Sequence, residues 1–368
     1  MLRTALVPAL LIAIGSFALA QEPAAPVAPA PPTPPYTLAD LLKLEGLKGE
    51  ALAVALSPNA ELAAAADEAG TVLVWKRAAG EPLRRLSKYQ VDRWGALLEF
   101  VSDETLAIMD SSQERLFFCE PATGKMVPQA KAKAPVELMP DGKRFLARDP
   151  KKGNDVQMIE IRTSKMLDDL TPYGEGPRGP MGYVYGIAVS DDGKMLAAAH
   201  GDGAVAVWDL KAGQRTALAK PDFSDKTKGH REDLFYDRAR SFLALAISPD
   251  NSALACVTDD LVAWAIEAKT GKTLGWLAGR ETETSDAIFT PDGKYLLTVR
   301  KSKEDAAIFG FWDAKTGAFL GEQILPGAAG TMRMRASKDG KYLLTAGWAD
   351  RAVRLFSLQA PPMGAPPP

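Results

Sequence analysis

Ile187–Asp209, reading IAVSDDGKMLAAAHGDGAVAVWD, is the stretch from which the rest of the chain can be read. Ile187 and Val189 alternate with other residues at period two, as in a strand with one buried face. Asp191-Asp192-Gly193 follows. Asp bonds its own backbone and Gly accepts positive φ, so these residues predict a tight hairpin turn. Leu196–Ala199 is a second apolar run, of small residues that let neighbouring sheets approach closely. Asp202-Gly203 marks another turn, and a third run ends at Trp208-Asp209.

The same sequence of events recurs along the chain. Turns are predicted at Pro58-Asn59-Ala60, Ser102-Asp103-Glu104, Pro140-Asp141-Gly142, Pro249-Asp250-Asn251, Pro291-Asp292-Gly293 and Lys338-Asp339-Gly340. Alternating pairs precede them: Val54/Leu56, Leu98/Phe100, Val136/Leu138, Leu245/Ile247 and Ala287/Phe289. Third strands are expected to end at Trp75, Cys119, Ile159, Trp208, Ile266, Trp312 and Phe356, and fourth strands to follow, as at Pro82–Leu86. Trp75 to Phe356 is 281 residues in six intervals, about 47 each. Four short antiparallel strands repeated seven times predict an all-β, seven-bladed β-propeller. Leu38–Leu47 reads as a fourth strand for the last blade, closing the ring; Thr37–Asp40 also resembles a helix cap, which leaves a short helix as the alternative.

The repeats resemble those of WD-repeat propellers. Trp208-Asp209 and Trp312-Asp313 carry the family dipeptide, and Asp202-Gly203 stands in the expected turn before the first. The resemblance covers nearly all of the chain after residue 35. A platform for protein partners is expected, and no cofactor is assigned.

The ends read differently. Arg3, the apolar Ala5–Ala18 and Ala18-Leu19-Ala20 match a secretory signal over residues 1–20, with Gln21 as the expected mature N-terminus. Residues 21–35 hold seven Pro and residues 360–368 five more, and predict a semi-stiff linker and a tail. The propeller is then expected over residues 36–359. After signal removal no integral membrane segment is expected, and the protein is read as exported, periplasmic or secreted, and monomeric.

The 368 residues alone would allow two or three domains, but the repeat divides the central 324 into one ring. Lys and Arg number 44 against 46 Asp and Glu, which argues against a nucleic-acid partner. Two His and two Cys argue against a zinc site or a disulfide scaffold. Cys119 and Cys256 fall three blades apart and read as small buried hydrophobes. His200 ends a second strand and reads as structural, with a general base near the channel mouth as the alternative. His230, in the single Gly-His pair, falls in a charged insertion. Asp141, Asp192, Asp292 and Asp339 read as turn formers, without calcium-loop spacing. No G-x-S-x-G elbow is present, and neither catalytic nor metal residues are assigned.

Long connections are expected on the top face, which holds the d–a and b–c links of each blade: 174–182, 221–240, 149–155 and 301–305. Trp94, Tyr183, Phe235, Tyr236 and Trp348 map to this face and are the candidate partner anchors. Lys151-Lys152 is a candidate attractor for an acidic partner. Lys226, Lys228 and Arg231 are interleaved with acids and read as a solvated loop. The expected function is a non-catalytic protein-interaction scaffold. The alternative is an enzyme or small-ligand binder with lactonase-like or quinoprotein-dehydrogenase-like architecture. That alternative expects a carboxylate-lined channel mouth.

Overall fold

A computed structural model describes residues 34–80, 82–87, 89, 97–172, 174, 181–221, 242–258, 262–277, 284–301, 306–328, 330–347 and 351–359. Its strands form seven four-stranded antiparallel sheets, and no helix occurs among the described residues. The first strand is β1 (Thr37–Leu44). Blade 1 is β2 (Ala51–Leu56), β3 (Leu62–Asp67), β4 (Thr71–Lys76) and β5 (Pro82–Ser87). Blade 2 is β6 (Leu98–Ser102), β7 (Thr105–Asp110), β8 (Arg115–Cys119) and β9 (Met126–Lys131). Blade 3 is β10 (Val136–Leu138), β11 (Arg144–Arg148), β12 (Val156–Glu160) and β13 (Met166–Leu170). Blade 4 is β14 (Val184–Val189), β15 (Met195–His200), β16 (Val205–Asp209) and β17 (Gln214–Ala219). Blade 5 is β18 (Phe242–Ile247), β19 (Ala253–Thr258), β20 (Ala263–Glu267) and β21 (Thr273–Trp276). Blade 6 is β22 (Thr284–Phe289), β23 (Tyr295–Lys301), β24 (Ala307–Asp313) and β25 (Phe319–Leu325). Blade 7 is β26 (Thr331–Ala336), β27 (Tyr342–Gly347) and β28 (Val353–Gln359), completed by β1.

The expected closure is therefore present, and the helix alternative at Leu38–Leu44 is not. β1 pairs antiparallel with β28 from Thr37–Gln359 to Leu44–Val353. Two clasps hold this strand. The Gln323 amide of blade 6 accepts from Leu38 N–H and donates to Leu38 O, both at 2.8 Å. The Tyr36 hydroxyl donates to Asp292 at 3.2 Å while its ring meets Tyr295 edge-on. Across the seam, the Arg77 guanidinium of blade 1 lies 4.4 Å over the Tyr342 ring of blade 7.

The repeat read from the sequence is also a repeat of register. Trp75 pairs with Ala63, Cys119 with Leu106, Ile159 with Phe145 and Trp208 with Leu196. Ile266 pairs with Leu254, Trp312 with Leu296 and Phe356 with Leu343. Each of the seven residues thus faces the second residue of β3 or its equivalent.

Every blade buries both faces, so the core is divided among the clefts between neighbours. Alternation in β3 shows how: Ala64 and Ala66 pack toward blade 2, whereas Ala63 and Ala65 pack toward blade 7. An alanine run has the small volume that this two-sided packing requires. Cys119 and Cys256 are buried free thiols within these cores.

Five of the seven turns are built by one device. In blades 4 to 7, Ser190, Ser248, Thr290 and Ser337 each donate a hydroxyl to Asp192, Asp250, Asp292 and Asp339 at 2.6–2.7 Å. The same hydroxyls accept the backbone N–H of Met195, Ala253, Tyr295 and Tyr342. In blade 1, Ser57 and Asn59 do likewise. Asp141, without such a hydroxyl, is held by Arg144 at 2.7 Å. Asp141, Asp192, Asp292 and Asp339 are turn formers, as their Asp-Gly setting implies, and Asp250 does the same before Asn251.

Candidate functional site: the central channel

The innermost strands β2, β6, β10, β14, β18, β22 and β26 line a central cavity of about 630 Å³. Because the register repeats, homologous residues fall at one height around it. The middle layer is Ala55, Glu99, Glu137, Ala188, Ala246, Ile288 and Arg335, all paired to equivalent positions of their second strands. Period two explains the placement of the charges. Leu98 and Phe100 enter the core between blades 1 and 2, and Val136 and Leu138 the core between blades 2 and 3. Glu99 and Glu137, the residues between them, turn to the cavity.

The layer toward the top face holds Asp286 on β22 and Arg333 on β26, both almost fully buried. The layer at the turns holds Pro58, Pro140, Pro249 and Pro291, with Asp191 and Lys338 at the corresponding place in blades 4 and 7. Among the described lining residues, all three cations come from blade 7, and the carboxylates come from blades 2, 3, 4 and 6. Blades 4 and 5 give the middle layer alanine, and blade 6 gives it isoleucine.

Removal from water dominates the titration of these carboxyls. Burial pushes Glu99 up to about 7; Arg335 and Lys338 oppose the rise, and Asp191 adds to it. Burial raises Glu137 well above the usual carboxylate range, and neighbouring Glu99 adds to it. The backbone N–H of Val189 faces Glu137 and offsets part of the rise. Burial raises Asp286 as well, against the pull of Arg335 and Arg333. Asp286 accepts the N–H groups of Met334 at 2.7 Å and Ala287 at 2.8 Å, and its carboxylate is 3.8 Å from Arg335.

On the top face, buried acids tie the connections down. Asp67 accepts the N–H groups of Lys48, Gly49 and Thr71 at 2.8–3.1 Å. Asp110 accepts those of Ser112 and Gln113. His200 is fully buried, with its Nδ1 2.8 Å from the Gly182 carbonyl, and burial lowers it to about 4. A neutral imidazole donating from Nδ1 satisfies that contact, so His200 tethers the connection before β14.

Tyr183 is half-buried at the junction of blades 3 and 4. Gly153 makes room for it: a Cβ there would lie 2.6 Å from the Tyr183 ring, and its φ of 76° also favours glycine. Trp94, Phe235, Tyr236 and Trp348 lie outside the described residues, as do His230, Lys226, Lys228 and Arg231. Of the Lys151-Lys152 pair, Lys152 is not a free cation. Lys152 Nζ sits 2.8 Å from both Asp155 and Asp169, which with Asp149 form the one acidic cluster of metal-binding dimensions among the described residues. The lysine ammonium supplies that cluster's countercharge.

The channel charges are poorly marked in the sequence, where only the apolar members of each alternating pair carry the period-two signal. Their signal was the residue between: Glu in Leu98-Glu99-Phe100 and Val136-Glu137-Leu138, against Ala in Leu245-Ala246-Ile247. Four carboxylates, Glu99, Glu137, Asp191 and Asp286, line the channel.

Residues 175–209 match the family model described as WD domain, G-beta repeat. The match ends at Trp208-Asp209, the dipeptide that closes β16. No curated protein matches the chain. The seven-bladed ring and this repeat together make the chain a WD-repeat-like propeller. Among the described residues no helix is long and apolar enough to cross a membrane.

Proposed function

We propose that this propeller is an exported, non-catalytic scaffold that captures a protein partner on its top face. WD-repeat propellers commonly work as interaction platforms. The observation that supports the reading here is Tyr183. It is an amphipathic aromatic, half-buried, seated on Gly153 where connections of two blades meet. Such residues supply anchoring energy at low entropic cost when the scaffold beneath them is rigid. The tethers at Asp67, Asp110 and His200 give the top face that rigidity. Trp94, Phe235, Tyr236 and Trp348 are proposed as companion anchors from their place in the sequence.

Replacing Trp94, Tyr183, Tyr236 and Trp348 together by alanine is expected to abolish partner capture from the native source while thermal unfolding stays nearly unchanged. Capture that persists in a folded variant removes the proposal. Export has its own test. Mass spectrometry of the protein recovered outside the cytoplasm is expected to find Gln21 at the N-terminus, and an intact Met1 contradicts export.

A further inference from the structure

The charged channel is independent of the top face and supports a second kind of binding. Two carboxylates on adjacent blades, Glu99 and Glu137, sit at one height and repel each other. Among the described residues no donor hydrogen-bonds to Glu99. Opposite charge faces them from blade 7, where Arg335 and Lys338 pull Glu99 toward its ionised form. Arg335 is half-exposed, and Lys338 has no ion-pair partner among the described residues. Between these poles Ala188, Ala246 and Ile288 offer an apolar wall. A cavity of about 630 Å³ lies within the roughly 300–1,000 Å³ usual for small-molecule sites.

We infer that the channel binds a small zwitterion, its ammonium or guanidinium seated between Glu99 and Glu137 and its carboxylate against Arg335 and Lys338. The ligand's cation favours the ionised glutamates that burial otherwise disfavours, and its carboxylate answers Lys338 beside Arg335. Its aliphatic part covers the apolar wall. A simple cation would leave Lys338 unanswered, and a simple anion would leave the two glutamates so. Asp286 does not compete for the ligand's cationic end, because two backbone N–H groups and the neighbouring arginines already hold it. Asp191 lies at the turn end of the channel near Glu99 and adds to the attraction for a cation.

The probes are L-lysine and L-arginine, titrated calorimetrically into the full chain, with pentane-1,5-diamine and hexanoate as one-ended controls. At least one amino acid is expected to saturate at one per chain, and both controls to bind at least about tenfold more weakly. Glu99→Gln with Glu137→Gln is expected to remove the binding. Lys338→Gln, in an exposed turn where folding is not at issue, is expected to weaken it by about threefold or more. The inference is overturned if neither amino acid binds at millimolar concentration. It is also overturned if the diamine binds as well as lysine, or if affinity is unchanged in the folded variants.

Discussion

Two sets of equivalent positions run around this ring, and they behave oppositely. At the turns, a Ser or Thr hydroxyl and an Asp carboxylate make the same bonds in blades 4 to 7, with Ser57 and Asn59 standing in for them in blade 1. In the middle layer of the channel, the homologous residue is Ala, Glu, Glu, Ala, Ala, Ile or Arg. The first set repeats because each blade must fold by the same local chemistry. The second is free of that demand, since one channel wall can differ from the next without disturbing any hairpin. The variation there collects charge of one sign on blades 2 and 3 and of the other on blade 7, so the repeat is kept where the fold depends on it and departs where the ring can bind.

Substitutions in the two sets should therefore separate cleanly. The largest effect belongs to the register that repeats. Trp75 is fully buried between blades 1 and 7, and Trp75→Ala should cost about 3–5 kcal/mol in denaturant unfolding. A loss under about 1 kcal/mol would mean that the cleft cores do not carry the ring.

The channel should respond with the opposite sign. Glu99 holds its proton more tightly folded than unfolded, with a shift from 4.5 to about 7. The folded state is therefore favoured below about pH 4.5 and loses that advantage as pH rises through about 7. Glu99→Gln, which keeps the uncharged shape, should be more stable than the parent above pH 7 by about 1–2 kcal/mol and equal to it below the unfolded value. Stability curves against pH for the two proteins check this, and a variant less stable at pH 8 would reverse the assignment.

Smaller effects follow at the surface. Asp250→Ala removes acceptors for the Ser248 hydroxyl and for the Ser252 N–H and hydroxyl. It should lower stability by about 1 kcal/mol. Lys338→Gln, on the channel rim and unpaired among the described residues, should move the unfolding midpoint by an amount worth less than about 0.5 kcal/mol. Equal losses at the two positions would erase the distinction between turn and channel.

The contrast also explains what could be read from the sequence. Period-two runs, Asp-bearing turns and a recurring aromatic are local signals, and together they sufficed for the seven blades, the third-strand residues from Trp75 to Phe356 and the closing strand at Leu38. The channel was less legible. Glu99 and Glu137 are ordinary polar members of alternating strands until seven first strands, about 47 residues apart in sequence, are set side by side. Arg335 joins them only through closure of the ring. Lys152 is illegible for a related reason: Asp155 precedes β12 and Asp169 lies on β13, and only the fold brings both to the Lys152 ammonium.

The most direct test of the account is the unfolding free energy at pH 8 of a protein carrying Glu99→Gln, Glu137→Gln and Arg335→Gln together. If these residues serve binding and the repeating register serves the fold, the triple variant unfolds with a free energy equal to or above the parent's. A loss of several kcal/mol would contradict that account, because it would make the channel charges part of what holds the seven blades in a ring.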